Sequence, residues 1–325
     1  MTKLTPVKLN LSPATRLTLL LVTVILVCAL FLTWNVKASW AFTLEFRGQK
    51  LISMVLVGIF IAISTLLFQT ISQNRILTPS IMGFDALYIL IQSIMIVVVG
   101  ASSYSMLNEY TKWAIEISIM TGMMLLLSKF LFRGSAQSIQ LLILSGVVLG
   151  ICLSSINGLV FRMMDPSQSV VAQDAFFASF SSPPMALLQV SCLILVSCLV
   201  FLYRYHHQLD VLSLGEQTAH SLGINYSRLT QHVLILIAIL VGMSTALVGP
   251  ITFLGFLVVH LAYQLAGSYK HKILLPFAAI LGVLVLVLGE FILQHVVAFN
   301  TRLSIVIECV GGVVFLALII KQAKS

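Results

Sequence analysis

The chain has 325 residues, of which 59% are hydrophobic and 9% charged, with a net charge of +8 and a mean hydropathy of +1.09. A water-soluble domain carries about a quarter charged residues, so the length here counts membrane spans rather than globular domains. The positive charge does not signal nucleic acid, because Lys and Arg stand singly between apolar runs, with no basic patch interleaved with aromatics.

Apolar runs cover residues 17–34, 51–72, 84–101, 113–132, 139–161 and 185–203, then 229–248, 252–265, 273–299 and 303–320. The first follows Lys3, Lys8 and Arg16 and precedes Ala38 and Ala41, as a cleavable signal would. It is longer than a signal's core of about 7 to 15 residues and is followed by further spans, so it reads as the first transmembrane helix. A bilayer leaves no water for unpaired backbone groups, and continuous rather than alternating runs are helical. The expectation is an all-α, polytopic fold of about ten crossings, with residues 1–325 as one transmembrane domain.

Ten crossings put both termini on one side. Assigning that side to the cytoplasm places Lys3, Lys8, Arg16, Arg75, Lys129, Arg133, Arg204, Arg228, Lys270, Lys272, Lys321 and Lys324 inside. Lys37, Arg47, Lys50, Lys112, Arg162 and Arg302 fall outside, the two-to-one bias that sets orientation in a plasma membrane.

Two connections are more than turns. Residues 162–184 hold Asp165, Asp174, a Ser-rich stretch and a Pro pair, and predict a short helix across the external mouth. Residues 204–228 are polar enough to leave the membrane, yet Leu212, Leu214, Ala219 and Leu222 recur near helical spacing around Gly215 and Gly223. A short helix outside the bilayer with an apolar face calls for a protein partner; the alternative is a solvated loop. In the fifth run Gly146, Gly150, Ser154 and Gly158 recur every four residues, a stripe that lets backbones approach. Intramolecular packing is its first reading, a dimer contact or a pathway lining the others.

The chemistry of an enzyme is missing from the sequence. No GxxxxGK[ST] loop occurs, so ATP would have to be hydrolysed by a partner, and neither HExxH nor GxSxG is present. Cys28, Cys152, Cys192, Cys198 and Cys309 lie in apolar runs without metal-ligand spacing and read as small core residues, with no metal site. Glu116, His260, Glu290, His295 and Glu308 are ionisable groups inside spans, where partial hydration near helix ends competes with a role in transport. A proton-coupled secondary transporter would use such groups and is the competing class.

At the second span the residues become specific. Gly58, Ala62, Ser64, Gln69, Asn74, Pro79 and Gly83 run without a gap in a pattern that resembles the cobalamin and ferric-siderophore permeases, the FecCD-type membrane subunits of ABC importers. LSLGEQTAHSLGI from Leu212 to Ile224, GPITFLGFLVVHLAYQLAG with KHKILLP from Gly249 to Pro276, and CVGGVVFLALIIK from Cys309 to Lys321 extend the resemblance in order. The chain departs from the pattern at Arg75, where Pro is frequent, and at Val259, where Pro precedes the His. It departs again at Tyr263, where Arg is frequent, at Lys270 in place of an acid, and at Ser304 in place of Pro. The TFLG form and the paired Gly of the last run look most like the ferric-siderophore branch, with cobalamin or haem as alternatives.

The resemblance implies a permease that binds no cofactor itself and works with a second permease subunit, either the same chain or a relative. It also implies two cytoplasmic ATPase subunits holding ATP and Mg, and an extracytoplasmic siderophore-binding protein. Leu214, Gly215, Glu216, Ala219, Leu222 and Gly223 match the coupling segment that docks on the ATPase. Arg47 and Lys50 match basic positions that meet acidic residues of the binding protein, and Arg302 joins them. Gln69, Asn74, Pro79 and Gly83, with the stripe from Gly146 to Gly158, are packing or pathway candidates.

Overall fold

The computed structural model describes residues 12–36, 39–131, 139–180, 183–297 and 301–323. Lys3, Lys8, Lys37, Arg133 and Lys324 of the charge tally lie outside these residues. Every described regular element is a helix: α1 Pro13–Thr33, α2 Trp40–Ser72, a 3-10 turn Pro79–Met82, α3 Phe84–Val99, α4 Ala101–Met106, α5 Glu109–Leu131 and α6 Ile139–Arg162. There follow α7 Pro166–Ala175, α8 Met185–Leu212, α9 Glu216–Ser221, α10 Tyr226–Val248, α11 Leu254–Ala266, α12 His271–Ile292 with a π turn Leu293–Val297, and α13 Leu303–Ala323. By length and composition α1, α2, α6, α8, α10 and α12 can cross a membrane, while α3, α11 and most of α13 are shorter apolar helices. The fold is all-α and polytopic, with about ten crossings.

Local sequence explains the ends. Pro13 opens α1 at a position needing no N–H, and Ser12 Oγ accepts from the Thr15 amide at 3.2 Å. Asp165 and Gln168 make a reciprocal capping box at α7, the expected short helix of that connection. Asn225 Oδ1 accepts the Arg228 amide at 3.0 Å and starts α10.

The long α2 organises the molecule. Its 33 residues span about 50 Å. It begins at Trp40, well before the apolar run at 51, because residues 40–50 contain no proline and continue the helix. Arg47 and Lys50 are therefore helical residues rather than loop residues. α2 packs most extensively on α12 and α10, and the closest approach is made by glycines. A Cβ on Gly58 would come 2.7 Å from the Gly282 carbonyl carbon, which no side chain tolerates.

The peripheral helices expose apolar faces, as lipid-facing or partner-facing helices do. Leu144, Val148 and Ile151 of α6 and Leu193, Val196 and Val200 of α8 are all exposed. The cysteines divide the same way: Cys198 is buried and Cys28 half-buried, but Cys152, Cys192 and Cys309 are exposed, so these three are not core residues. They sit on outward apolar faces, where a thiol is as tolerable as in a core.

Candidate functional site

At the C-terminal end of α2 the chain builds an elbow. α8 runs unbroken through Arg204 to Leu212, so the polar interval is largely helix, and turns at Gly215, whose φ of +95° favours glycine. A Cβ at Gly215 would also lie 2.9 Å from Gln73 Nε2, so the elbow sits beside the end of α2. α9 then spans Glu216–Ser221, and Gly223 with φ of +77° returns the chain to α10.

The four apolar residues of this segment do not share one face. Leu212 and Ala219 are buried against the helical body, whereas Leu214 and Leu222 are each 59% exposed. The turn at Gly215 interrupts the helical period that was to align them. Glu216 is exposed beside an open recess of about 620 Å³, lined also by His220, Gly223 and Arg228. Two exposed leucines thus flank a short polar helix next to an open recess.

At the other end of α2 the three candidate docking cations each have intramolecular partners. Arg47 Nη1 donates to the carbonyls of Phe31 at 3.1 Å and Trp34 at 2.8 Å, closing the C-terminal end of α1. Lys50 Nζ lies 2.5 Å from Glu290 Oε1 with both side chains largely buried, and Gln294 Nε2 donates to the same oxygen at 2.6 Å. Glu290 is thus a buried, paired carboxylate, not a hydrated one. Arg302 holds the Asp174 carboxylate and donates to the Asp174 carbonyl at 2.6 Å and that of Phe177 at 2.9 Å.

Between these ends the helices are interrupted. Gly249, with φ of +96°, ends α10, and a Cβ there would meet Ala178 Cα at 2.9 Å. The Ser179 amide donates to Val248 O at 2.7 Å and Ser304 Oγ to Ala178 O at 3.3 Å, so the link after α7 is tied to this break. Thr252 Oγ1 donates to Asp85 Oδ2 at 3.0 Å beside a cavity of about 20 Å³ lined by Ser64, Thr65, Ser80 and Ser244. Pro79 is buried and Asn74 is exposed, its Oδ1 accepting the Ile76 amide at 3.0 Å. Gly83, with φ of +85°, abuts Gly150, and Gly146 faces Met82. Half of the small-residue stripe therefore packs within the chain, while Ser154 and Gly158 are exposed.

The other ionisable candidates are also placed. Glu116 is buried and accepts from Gln92 Nε2 at 2.7 Å, and Tyr104 caps Gln92 Oε1 at 2.5 Å. His260 Nε2 shares a 2.9 Å hydrogen bond with Gln264. His295 stacks on Phe291, and Glu308 is half-buried on α13. Gln69 is buried, and neither its Oε1 nor its Nε2 has a hydrogen-bond partner among the described residues.

One group joins residues that no single motif of the sequence brings together. Asp210, in the last turn of α8, accepts at Oδ1 from both the backbone N–H and the ring Nδ1 of His271, each at 2.7 Å. His271 Nε2 meets Thr70 Oγ1 of α2 at 2.8 Å. Nothing in the sequence pairs residues so far apart.

Comparison with known proteins agrees with this architecture. Residues 14–321 match the profile of the FecCD transport family. The chain is 40% identical to the petrobactin import system permease protein YclO of Bacillus subtilis (strain 168), over 94% of this chain and 97% of that protein. It is 32% identical to the petrobactin import system permease protein FatC of Bacillus anthracis, over 85% and 78% of the two chains. A metal-chelate type ABC transporter solved in an inward-facing conformation superposes with a TM-score of 0.83 at 22% identity, covering 95% of this chain and all of the other, a likeness of fold. A helical polytopic chain with these matches over nearly its whole length belongs to the FecCD transport family.

Proposed function

We propose that the chain is the membrane-spanning permease subunit of an ATP-driven importer of ferric siderophores, and that it performs no catalysis itself. The observation that carries the coupling part is the α8–α9 elbow. Leu214 and Leu222 stand exposed beside Glu216 and an open recess, in a chain without a nucleotide-binding loop. An apolar knob of this kind outside the bilayer fits docking on a separate ATPase subunit, two of which would hold ATP and Mg. Closure of the ATPase pair would then rock the transmembrane helices.

In this reading the elbow and both termini face the cytoplasm of a bacterium, across its inner membrane. Residues 204–228 are the coupling segment of a single transmembrane domain. A second permease subunit faces this one across the pathway. A siderophore-binding protein docks at the opposite end, where Arg47 and Arg302 are partly exposed at the rim and the charge of Lys50 is committed to Glu290. The petrobactin permeases among its relatives support a siderophore as cargo.

The test is uptake of radiolabelled iron by cells lacking the chain and by cells complemented with it. Petrobactin, ferric citrate, haem and cobalamin are offered separately. Loss and recovery of iron–petrobactin uptake alone is the expected pattern. Intact uptake of every iron chelate with loss of cobalamin or haem uptake would overturn the cargo and leave the permease.

A further inference from the structure

We propose that Asp210, His271 and Thr70 form the joint through which movement of the α8–α9 elbow reaches α2 and α12. The proposal rests on the coupling role assigned to α9 above. Three helices meet here through side chains that no single motif brings together.

α12 begins at His271, and its N-cap residue Lys270 gives it no side-chain cap. Asp210 of α8 supplies the missing acceptor instead, binding the first amide and the ring at once, so the start of α12 is capped by another helix. A carboxylate accepts only, so the proton of that ring bond sits on Nδ1 of His271. The other ring nitrogen reaches the buried Thr70 hydroxyl, which also bonds to Leu66 O at 2.9 Å. The elbow is therefore tied to α2 through His271, and three residues beyond Thr70 the exposed Gln73 side chain at the end of α2 lies beside Gly215. Ser213 Oγ donates to the backbone carbonyl of Asp210 at 2.7 Å and closes the last turn of α8 ahead of α9.

Beyond the joint, α2 and α12 are in backbone contact at Gly58 and Gly282 and are linked again by Lys50 and Glu290. A displacement of α9 cannot be taken up at the end of α8 without moving the first turn of α12. From there the paired helices carry it toward the far end as one bar.

The experiment uses the chain purified with its own ATPase and permease partners in lipid nanodiscs and proteoliposomes. Asp210→Ala and Thr70→Val are compared with the conservative Asp210→Asn and Thr70→Ser. Losing a bond to a charged group corresponds to about a tenfold change in local opening, so amides of residues 213–224 should exchange about tenfold faster in Asp210→Ala, and severalfold faster in Thr70→Val. Amides in the middle of α2 and α10 keep their wild-type rates. In the same two variants ATP hydrolysis persists while iron chelate carried per ATP falls, and Asn and Ser restore both readouts. Wild-type exchange at 213–224 in both Ala and Val variants would overturn the joint, as would Asn and Ser variants that lose as much as Ala and Val. Thr70→Val keeps the test decisive if Asp210→Ala fails to fold. The exchange measurement needs no cargo, so it decides on the joint even if the siderophore assignment fails.

Discussion

Lys50 and Glu290 form an ion pair across the α2–α12 contact, with side-chain exposures of 15% and 8%. Removing one partner strands the other charge, so Lys50→Met should destabilise the detergent-solubilised protein by about 3–5 kcal/mol, while Lys50→Met with Glu290→Met recovers most of that loss. Thermal unfolding of the three proteins checks this, and equal stability of the single variant and wild type would assign Lys50 to solvent or to a partner. Two residues that stand out in the sequence, Arg75 and Tyr263, also meet at this scale. The Arg75 guanidinium sits 4.7 Å from the centroid of the Tyr263 ring and 4.8 Å from that of Tyr269. Arg75, Tyr263 and Tyr269 therefore form one cation–π cluster. Arg75 and Tyr263 were each visible in the sequence as an oddity, but a contact across nearly two hundred positions was not.

At the scale of elements, α9 was legible because a polar interval with Gly at both ends interrupts the apolar runs. Which of its leucines face outward was not, since the sequence pattern assumes one continuous helix and the turn at Gly215 breaks the period. The joint of Thr70, His271 and Asp210 was hidden for a different reason. Its members lie 201 and 61 positions apart and carry no spacing signal. Glu216→Arg should leave the chain in the membrane at wild-type level and abolish co-purification of the ATPase, because reversing a charge at a docking surface typically costs several kcal/mol. Gly223→Trp should act alike, adding strain at a φ of +77°. Retention of the ATPase by both variants would remove α9 from the interface. By contrast Gly58→Leu should reduce the amount of folded chain, because the helices must separate by more than a methyl group where Gly58 meets Gly282.

For the whole molecule, the all-α class and the order of the crossings follow from hydropathy alone, since a bilayer admits few alternatives. The position of the central bar does not. α2 and α10 are mostly buried within the bundle, and α1 and α6 mostly exposed, although all four are strongly apolar. In a membrane, lipid and protein core select the same residues, so packing glycines and buried polar groups distinguish the layers instead. The orientation is open to a direct check. In a cysteine-free background, a membrane-impermeant maleimide added to intact cells should label Ser167→Cys on α7 and spare Gln217→Cys on α9, and the reverse pattern would invert the topology. The central claim, that this chain moves cargo by coupling to a separate ATPase, is tested most directly in proteoliposomes holding the purified complex with the binding protein and ferric petrobactin on the side opposite α9. Accumulation should require ATP on the α9 side, stop on omission of the ATPase subunits, and be indifferent to an imposed proton gradient. Uptake driven by the gradient without ATPase subunits would contradict it.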